Sequence, residues 1–254
     1  MLWNTGEDKM IDGFVLAIQF LTKLPIKKQV DFNHKNLAAS TFFYPLVGMI
    51  VGAIGWLFYY IFSYLNRDVG SLLALVALIF VTGGLHLDGL SDTCDGFLSY
   101  RDKEKVLEIM KDSRTGAFGV IAIVLDILVK YVLIKSIDKN MLLALMLSYG
   151  NSRLIICYLM STKKVARKGG LGDMFHGSNP KGYALAGGIV YLILILMIDP
   201  IFLLPLVVNF LLGQAMTLVT YRKIDGFTGD VYGACIELGE IASLLAFLGV
   251  FKWI

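Results

Sequence analysis

Seven long apolar runs constrain how this chain can fold more than any other feature of its sequence. The runs occupy residues 37–64, 71–90, 116–137, 141–160, 182–198, 201–220 and 232–252. Each approaches the roughly 20 residues that a helix needs to cross a bilayer. Inside lipid the backbone must satisfy its own hydrogen bonds, which a helix does within one segment. The sequence therefore predicts an all-α, polytopic membrane bundle of about seven transmembrane helices.

Composition supports this fold class. Of 254 residues, 57% are hydrophobic and 17% are charged, whereas a soluble domain has about 25% charged residues. No linker, repeat or low-complexity segment interrupts the chain, so residues 1–254 are interpreted as one membrane-embedded domain. A further apolar segment, 10–26, is shorter. It is predicted to be an interfacial helix or a short span that ends at Pro25.

The distribution of basic residues predicts an orientation. Lys and Arg number five in 1–36, five in 91–115, five in 161–181 and two in 221–231. The alternate loops and the C-terminus together carry only four, so the positive-inside rule places the first set in the cytoplasm. The polar, Gly-rich segments lie on the same side. We therefore predict a multi-pass protein of the cytoplasmic (inner) membrane with its active site facing the cytoplasm. No nucleic-acid partner is predicted.

Three aspartates follow the second apolar run within "GGLHLDGLSDTCDGF" (83–97): Asp88, Asp92 and Asp95. If the helix continues through them, spacings of four and three residues place them within about 60° of arc and about 10 Å of axis. Carboxylates this close repel one another unless a cation lies between them, and oxygen ligands suit Mg²⁺. The pattern predicts a metal site. The alternative is a solvated helix end.

His86 precedes these acids but falls on the opposite side of an ideal helix from Asp88. It is therefore interpreted as a hydrogen-bonding residue near the substrate rather than as a metal ligand. A bend at Gly83 and Gly84 would change that geometry.

A second group of acids begins the last apolar run, in "DGFTGDVYGACIELGE" (225–240). Asp230 and Glu237 are two turns apart on a similar face, and Glu240 lies one turn deeper. An acid inside a span is costly without a partner and is a functional candidate. These residues are predicted to supply a general base or a second metal contact.

Two cations within the spans offer a structural alternative for the deep acids. Lys130 or Arg153 could pair with Glu240 in a purely structural role. Asp126 and Lys130 are four residues apart in one span and are predicted to form an ion pair with each other.

Candidate phosphate ligands lie in two polar segments. The segment "MKDSRTGAFG" (110–119) supplies Asp112, Ser113, Arg114 and Gly116, and an arginine can bind phosphate with two hydrogen bonds. A simple topology charge is the alternative for Arg114. The loop "STKKVARKGGLGDMFHG" (161–177) has positive charge and glycines that suit a nucleotide, but a basic loop facing lipid headgroups explains it nearly as well.

These residue types together favour phosphoryl or pyrophosphate transfer at a membrane surface, because carboxylates, a divalent metal and basic side chains are what such chemistry needs. Alcohol phosphotransferases and prenyltransferases both work in this way. The pattern DGxxDxxDG is closer to the first class, because prenyltransferases usually carry DDxxD motifs. A cation-coupled transporter is the alternative from another class, but its acids would lie near the membrane midplane, often with an internal repeat.

Three segments resemble the cobalamin synthase family: "TGGLHLDGLSDTCDGF", "LEIMKDSRTGAFG" and "TGDVYGACIELGE". The likeness extends to "FLTKLPI", which contains Lys23, to "FFYPLVGMIVG" and to "GLGDMFHG", and so covers nearly the whole chain in order. The resemblance implies a Mg²⁺-dependent integral membrane enzyme. Its substrates would be adenosylcobinamide-GDP and α-ribazole or α-ribazole 5′-phosphate. Its products would be adenosylcobalamin or its 5′-phosphate, and GMP.

Site residues follow as hypotheses from the motifs and the resemblance together. The expected metal ligands are Asp88, Asp92 and Asp95. The expected catalytic residues are Asp92, Asp95, Asp230 and Glu237. The expected substrate-binding residues are Lys23, His86, Asp112, Ser113, Arg114 and Gly116. Self-association into a homo-oligomer and contacts with other cobalamin-assembly enzymes are left open.

Overall fold

A computed structural model describes residues 6–253, and the regular structure in this part is helical apart from one isolated bridge between Val165 and Phe227. The helices are α1 (Gly6–Leu21), α2 (His34–Ser40), α3 (Tyr44–Ser63), α4 (Arg67–Thr82), α5 (Leu85–Phe97), α6 (Lys103–Ile109), α7 (Ala117–Ser136), α8 (Met141–Thr162), α9 (Leu171–Gly177), α10 (Lys181–Ile198), α11 (Leu203–Ile224) and α12 (Gly229–Trp253). Short 3-10 turns at Thr41–Phe43 and Pro200–Phe202 lead into α3 and α11.

The predicted membrane spans are confirmed. Within residues 6–253, six helical segments are long and apolar enough to cross a membrane, and α4 with α5 adds a seventh if the bent pair is counted as one span. The segments coincide with the seven apolar runs to within a few residues. The chain is a multi-pass membrane protein.

The second span differs from its prediction. The apolar run 71–90 does not form one helix, because α4 ends at Thr82 and α5 leaves it at an angle of 87°. Gly83 and Gly84 make the corner with φ values of 66° and 68°, a left-handed conformation that glycine adopts without steric cost. The aspartates therefore do not continue the second span in a straight line, although Leu85–Phe97 is helical and keeps their predicted spacing of four and three residues. They lie on a separate helix across one end of the bundle.

The N-terminal segment forms a helix that ends earlier than Pro25. Helix α1 stops at Leu21, where the Thr22 hydroxyl donates to the carbonyl of Ile18 (2.7 Å). At 16 residues it is not among the six spanning segments. Ala17 and Leu21 are buried as α1 packs against α2 and α3.

Helix α8 forms the centre of the bundle. Glycines of α3 let the backbones of α3 and α8 approach closely. A Cβ at Gly48 would lie 2.7 Å from the carbonyl carbon of Tyr149, and one at Gly52 would lie 2.6 Å from that of Leu145. Small residues spaced four apart are the usual device for close helix packing in membranes. Helix α12 packs on α8 from another side and also contacts α5, α7 and α11. The first turns of α12 therefore meet the aspartate helix.

Candidate active site

Helix α5 holds the three predicted aspartates at the polar end of the bundle. Asp88 is exposed, whereas Asp92 and Asp95 are half-buried. The charges that act on Asp92 come from Asp88, Asp95 and Asp230, and from the guanidinium of Arg167. The structure thus brings an acid of the last span to the α5 acids, as the sequence predicted for Asp230, and adds an arginine that the sequence did not single out.

Two glycines set the distance between α5 and α12. A Cβ at Gly89 would lie 2.7 Å from the carbonyl oxygen of Asp230 and 3.2 Å from the Cα of Gly233. Real Cβ atoms are almost never found this close to a backbone atom, so any larger residue would push the helices apart. Gly89, which lies between Asp88 and Asp92, and Gly233 on α12 therefore serve the crossing that positions Asp230.

Asp95 connects α5 to the start of α7. Its carboxylate accepts hydrogen bonds from the backbone N–H groups of Gly116 (2.7 Å) and Gly119 (2.8 Å). These amides have no partner inside the helix, and a carboxylate there is favoured by the helix dipole. Gly116, a predicted substrate ligand, thus donates its backbone N–H to Asp95.

The basic loop after α8 is tied to the start of α12 by backbone pairing. The N–H of Ala166 donates to the carbonyl of Phe227 (2.8 Å), and the N–H of Phe227 donates to the carbonyl of Lys164 (2.9 Å). Lys164 also pairs with Asp225 at 2.6 Å, and its hydrogen bond holds the pKa of that carboxyl below its usual range. These contacts fix the loop beside the acids.

Arg167 lies in the basic loop, and the backbone pairing of this loop with the start of α12 places Arg167 beside the acids. Its Nη2 lies 3.5 Å from the Oδ2 of Asp230. Its Nη1 is buried without a hydrogen-bond partner in the described part of the chain. Both residues line a cavity of about 180 Å³, which also contains Gly170 and Gly229. A guanidinium with a free donor beside a helix N-terminus is suited to binding an anion.

Asp112, Ser113 and Arg114 form a local arrangement in which Asp112 is half-buried and Ser113 and Arg114 are exposed. Arg114 donates to both carboxylate oxygens of Asp112, and its Nη2 lies 2.6 Å from Oδ2. This hydrogen bonding lowers the pKa of Asp112 to about 2. Their predicted role in binding phosphate stays a prediction.

Glu237 and Glu240 lie in a buried ion-pair cluster between α7, α8 and α12. Lys130 contacts Glu237, Glu240 (2.7 Å) and Asp126 (3.2 Å), and Arg153 contacts Glu240. The predicted Asp126–Lys130 pair is confirmed. The alternative for Glu240, a structural ion pair with Lys130 or Arg153, is also present, and Glu240 pairs with both cations. The contacts of Glu237 are to this cluster, so its catalytic role stays a prediction.

Lys23, which follows α1, lies beside the corner that precedes α5, and His86 lies in the first turn of α5. The backbone N–H of Lys23 donates to the carbonyl of Val81 (2.7 Å), and its side chain crosses the corner at Gly83. His86 is buried, and its Nε2 has no hydrogen-bond partner within residues 6–253. The "FLTKLPI" segment therefore does reach the aspartate helix.

The comparisons with known proteins show the family of the chain. Residues 13–248 match the cobalamin-5-phosphate synthase family. The chain belongs to this family. An adenosylcobinamide-GDP ribazoletransferase of Clostridium botulinum (strain 657 / Type Ba4) is 40% identical over 94% of this chain and 98% of its own length. The proteins of the same name from Clostridium novyi (strain NT) and Treponema denticola are 39% and 34% identical, over 93% and 91% of this chain and 96% and 95% of their own lengths. No solved structure matches the chain.

The Mg²⁺ that the family resemblance implies can be tested against the acids. Within residues 6–253, no three His, Cys, Asp or Glu side chains are grouped so that they could hold a metal ion together. Both oxygens of Asp95 already accept backbone hydrogen bonds. Mg²⁺, however, is usually bound through one or two carboxylates together with water and substrate phosphates. Asp88 and Asp92, one turn apart on α5, are carboxylates of the kind that such an ion uses, and Mg²⁺ binding there stays a prediction.

Proposed function

We infer that this chain is an adenosylcobinamide-GDP ribazoletransferase, acting as a single membrane-embedded catalytic domain. It transfers the cobinamide phosphate of adenosylcobinamide-GDP to α-ribazole, or to α-ribazole 5′-phosphate, and releases GMP. This reaction completes the nucleotide loop of cobalamin. The family match over residues 13–248 is the observation that carries the inference, and the cavity that Arg167 lines together with Asp173 and Asp230 supports it.

The reaction forms one phosphoester bond and breaks one phosphoanhydride bond. The 3′-hydroxyl oxygen of the ribose attacks the phosphorus that carries the cobinamide. The bond to GMP breaks, and its electron pair leaves with GMP. The hydroxyl proton passes to a carboxylate of the site. Asp92 is half-buried among the other acids and is our choice for this role, and Asp230 is the second candidate.

The diphosphate is held by the cavity around Arg167. The free Nη1 donor of Arg167 and the first amides of α12 point to charge-assisted hydrogen bonds to the phosphate oxygens. Asp230 orients Arg167 through the contact at 3.5 Å. A Mg²⁺ bound by Asp88 and Asp92 would neutralise phosphate charge and stabilise the leaving GMP.

We further propose that the site faces the cytoplasm, in the cytoplasmic (inner) membrane. The segments with most of the Lys and Arg residues are the ones that meet at the active-site end of the bundle. In the variant Lys168→Cys, the new thiol at this exposed position would react with a membrane-impermeant maleimide in inverted vesicles but not in intact cells. Reaction of the thiol in intact cells would show that the site faces the opposite side of the membrane.

The test of the function is GMP release from adenosylcobinamide-GDP by purified membranes, with α-ribazole as acceptor. Asp92→Asn keeps the shape of the side chain and removes its charge, and we expect a loss of roughly 10²-fold or more in kcat, as for a lost general base. Glu104→Gln, an exposed acid on α6, is the matched control and should retain activity. Wild-type GMP release and Mg²⁺ dependence in Asp92→Asn would refute the role of Asp92. No acceptor-dependent GMP release by the wild type would refute the function.

A further inference from the structure

A second cavity, of about 120 Å³, extends from the aspartates into the bundle. It lies between α1, α3, α5, α8, α9 and α12 and shares Asp230 with the cavity of Arg167. Asp88 and Asp230 stand at its polar end. Because the two cavities meet at the same acid, a molecule held in one would present its far end to a phosphate held in the other.

The buried end of this cavity is an aromatic cluster. The ring of Phe175 lies edge-on to that of Phe20, with centroids 4.9 Å apart, and edge-on to that of Tyr44 at 6.1 Å. Met160 completes the apolar wall. Aromatic side chains favour this edge-to-face geometry with one another and with a flat ring placed among them.

Three buried polar atoms of the cavity wall, on Tyr44, His86 and Tyr232, have no hydrogen-bond partner within residues 6–253. His86 and Tyr232 are 4% and 2% exposed, and neither His86 Nε2 nor the Tyr232 hydroxyl forms a hydrogen bond within residues 6–253. Tyr232 is held in place by stacking on Phe227, with ring centroids 5.1 Å apart. A buried polar group without a partner costs free energy, so the wall is suited to a ligand that is flat, largely apolar and able to accept or donate one or two hydrogen bonds.

The two substrates of the proposed reaction differ in this respect. Guanine carries polar atoms along most of its edge and would leave several of them unpaired against Phe20, Phe175 and Met160. The base of α-ribazole is dimethylbenzimidazole, whose benzo ring carries only methyl groups and whose polar nitrogen lies at the other end. An apolar cavity of about 150 Å³ holds benzene, so this cavity of about 120 Å³ admits the methyl-bearing end of one ring and not a whole nucleoside.

We propose that this cavity binds the aromatic base of the acceptor nucleoside, with its dimethyl ring among Phe20, Tyr44 and Phe175 and its ribose directed to Asp88 and Asp230. The inference rests on the proposed function and assigns the acceptor subsite within it. His86 or Tyr232 supplies the hydrogen bond to the ring nitrogen. The ribose hydroxyl then lies beside the carboxylates and faces the phosphate bound by Arg167.

The first test needs no variant. KM is measured in the GMP-release assay for α-ribazole and for the riboside of unsubstituted benzimidazole. Each methyl group buried in an apolar site favours binding by about fourfold, so the riboside that lacks both methyl groups should have a KM roughly 15-fold higher. Equal KM values would overturn the proposal, since the ring would then not be enclosed.

The second test uses two variants and one control in the purified full-length chain. Tyr232→Phe removes only the hydroxyl and should raise the KM and the Kd of α-ribazole roughly fivefold. Met160→Phe fills part of the buried end and should raise both by roughly tenfold or more. Neither variant should change the KM of adenosylcobinamide-GDP by more than about twofold. Tyr183→Phe, at a tyrosine outside the cavity, is the control.

Calorimetric titration with α-ribazole measures Kd without turnover and separates the two hypotheses. If the wild type binds α-ribazole and the variants weaken that binding, the cavity assignment holds even where no GMP is released. If GMP is released and both variants keep wild-type constants for α-ribazole, the assignment fails and the function stands. A rise in the KM of adenosylcobinamide-GDP alone would place guanine in the cavity and overturn the proposal.

Discussion

The crossing of α5 and α12 at Gly89 provides the sharpest test of how the site is positioned. In Gly89→Ala the new Cβ would lie 2.7 Å from the carbonyl oxygen of Asp230, whereas ordinary contacts begin at 3.4 Å. The neighbouring atom is backbone and cannot rotate away, so the two helices must separate by about 0.7 Å. Overpacking of this kind costs about 1–3 kcal/mol of stability. Because a misplacement of 1 Å can cost about 10²-fold in rate, we expect kcat to fall by roughly 10-fold to 100-fold.

The matched control is Gly249→Ala on α12, the other helix of the crossing, where a Cβ would meet nothing within 4 Å. GMP release and the midpoint of thermal unfolding are measured for both variants in the same detergent. Gly249→Ala should keep the activity and the midpoint of the wild type. If Gly89→Ala also keeps the activity and the midpoint of the wild type, the contact between α5 and α12 tolerates a larger residue. The argument that this contact fixes the positions of the acids is then refuted.

Two further predictions concern charged residues. Lys130→Met leaves the carboxylates of Asp126, Glu237 and Glu240 without their shared cation, so we expect a loss of about 3–5 kcal/mol in stability, measured by chemical unfolding in detergent. An unchanged unfolding free energy would contradict the buried cluster. Arg167→Lys keeps the positive charge but loses the fork of donors, so the KM of adenosylcobinamide-GDP should rise about tenfold while that of α-ribazole stays constant; the reverse pattern would exclude Arg167 from the phosphate cavity.

The helical framework was predictable because it depends on local sequence. Apolar runs of about 20 residues have one stable solution in lipid. Six of the seven predicted spans coincide with a helical segment to within a few residues, and the second is a pair of helices bent at Gly83 and Gly84. The GxxxG spacing of Gly48 and Gly52 also has its usual consequence, close packing on α8. The corner at Gly83 and Gly84 was only partly foreseeable, since glycine permits a left-handed turn without requiring one.

The site was less predictable because its contacts join distant segments. Arg167 reaches Asp230 through the pairing of Ala166 with Phe227, residues about 60 positions apart along the chain. No local pattern separates Arg167 from the other basic residues of its loop. Likewise, spacing placed Asp95 with the other acids, but the free amides at the start of α7 determine what its carboxylate binds. Tertiary contacts thus assign different tasks to residues that look equivalent in the sequence.

The corner at Gly83 and Gly84 also sets how deep in the membrane the chemistry takes place. Helix α4 has 16 residues and rises about 24 Å, and a straight continuation through the 13 residues of α5 would add about 20 Å. Such a rod would place Asp92 and Asp95 about 38 and 42 Å from the start of α4, beyond a hydrocarbon layer of about 30 Å. The bend instead places α5 across one end of the bundle. The length of α4 thus sets the position of α5, where a water-soluble nucleotide and the membrane-embedded enzyme can meet.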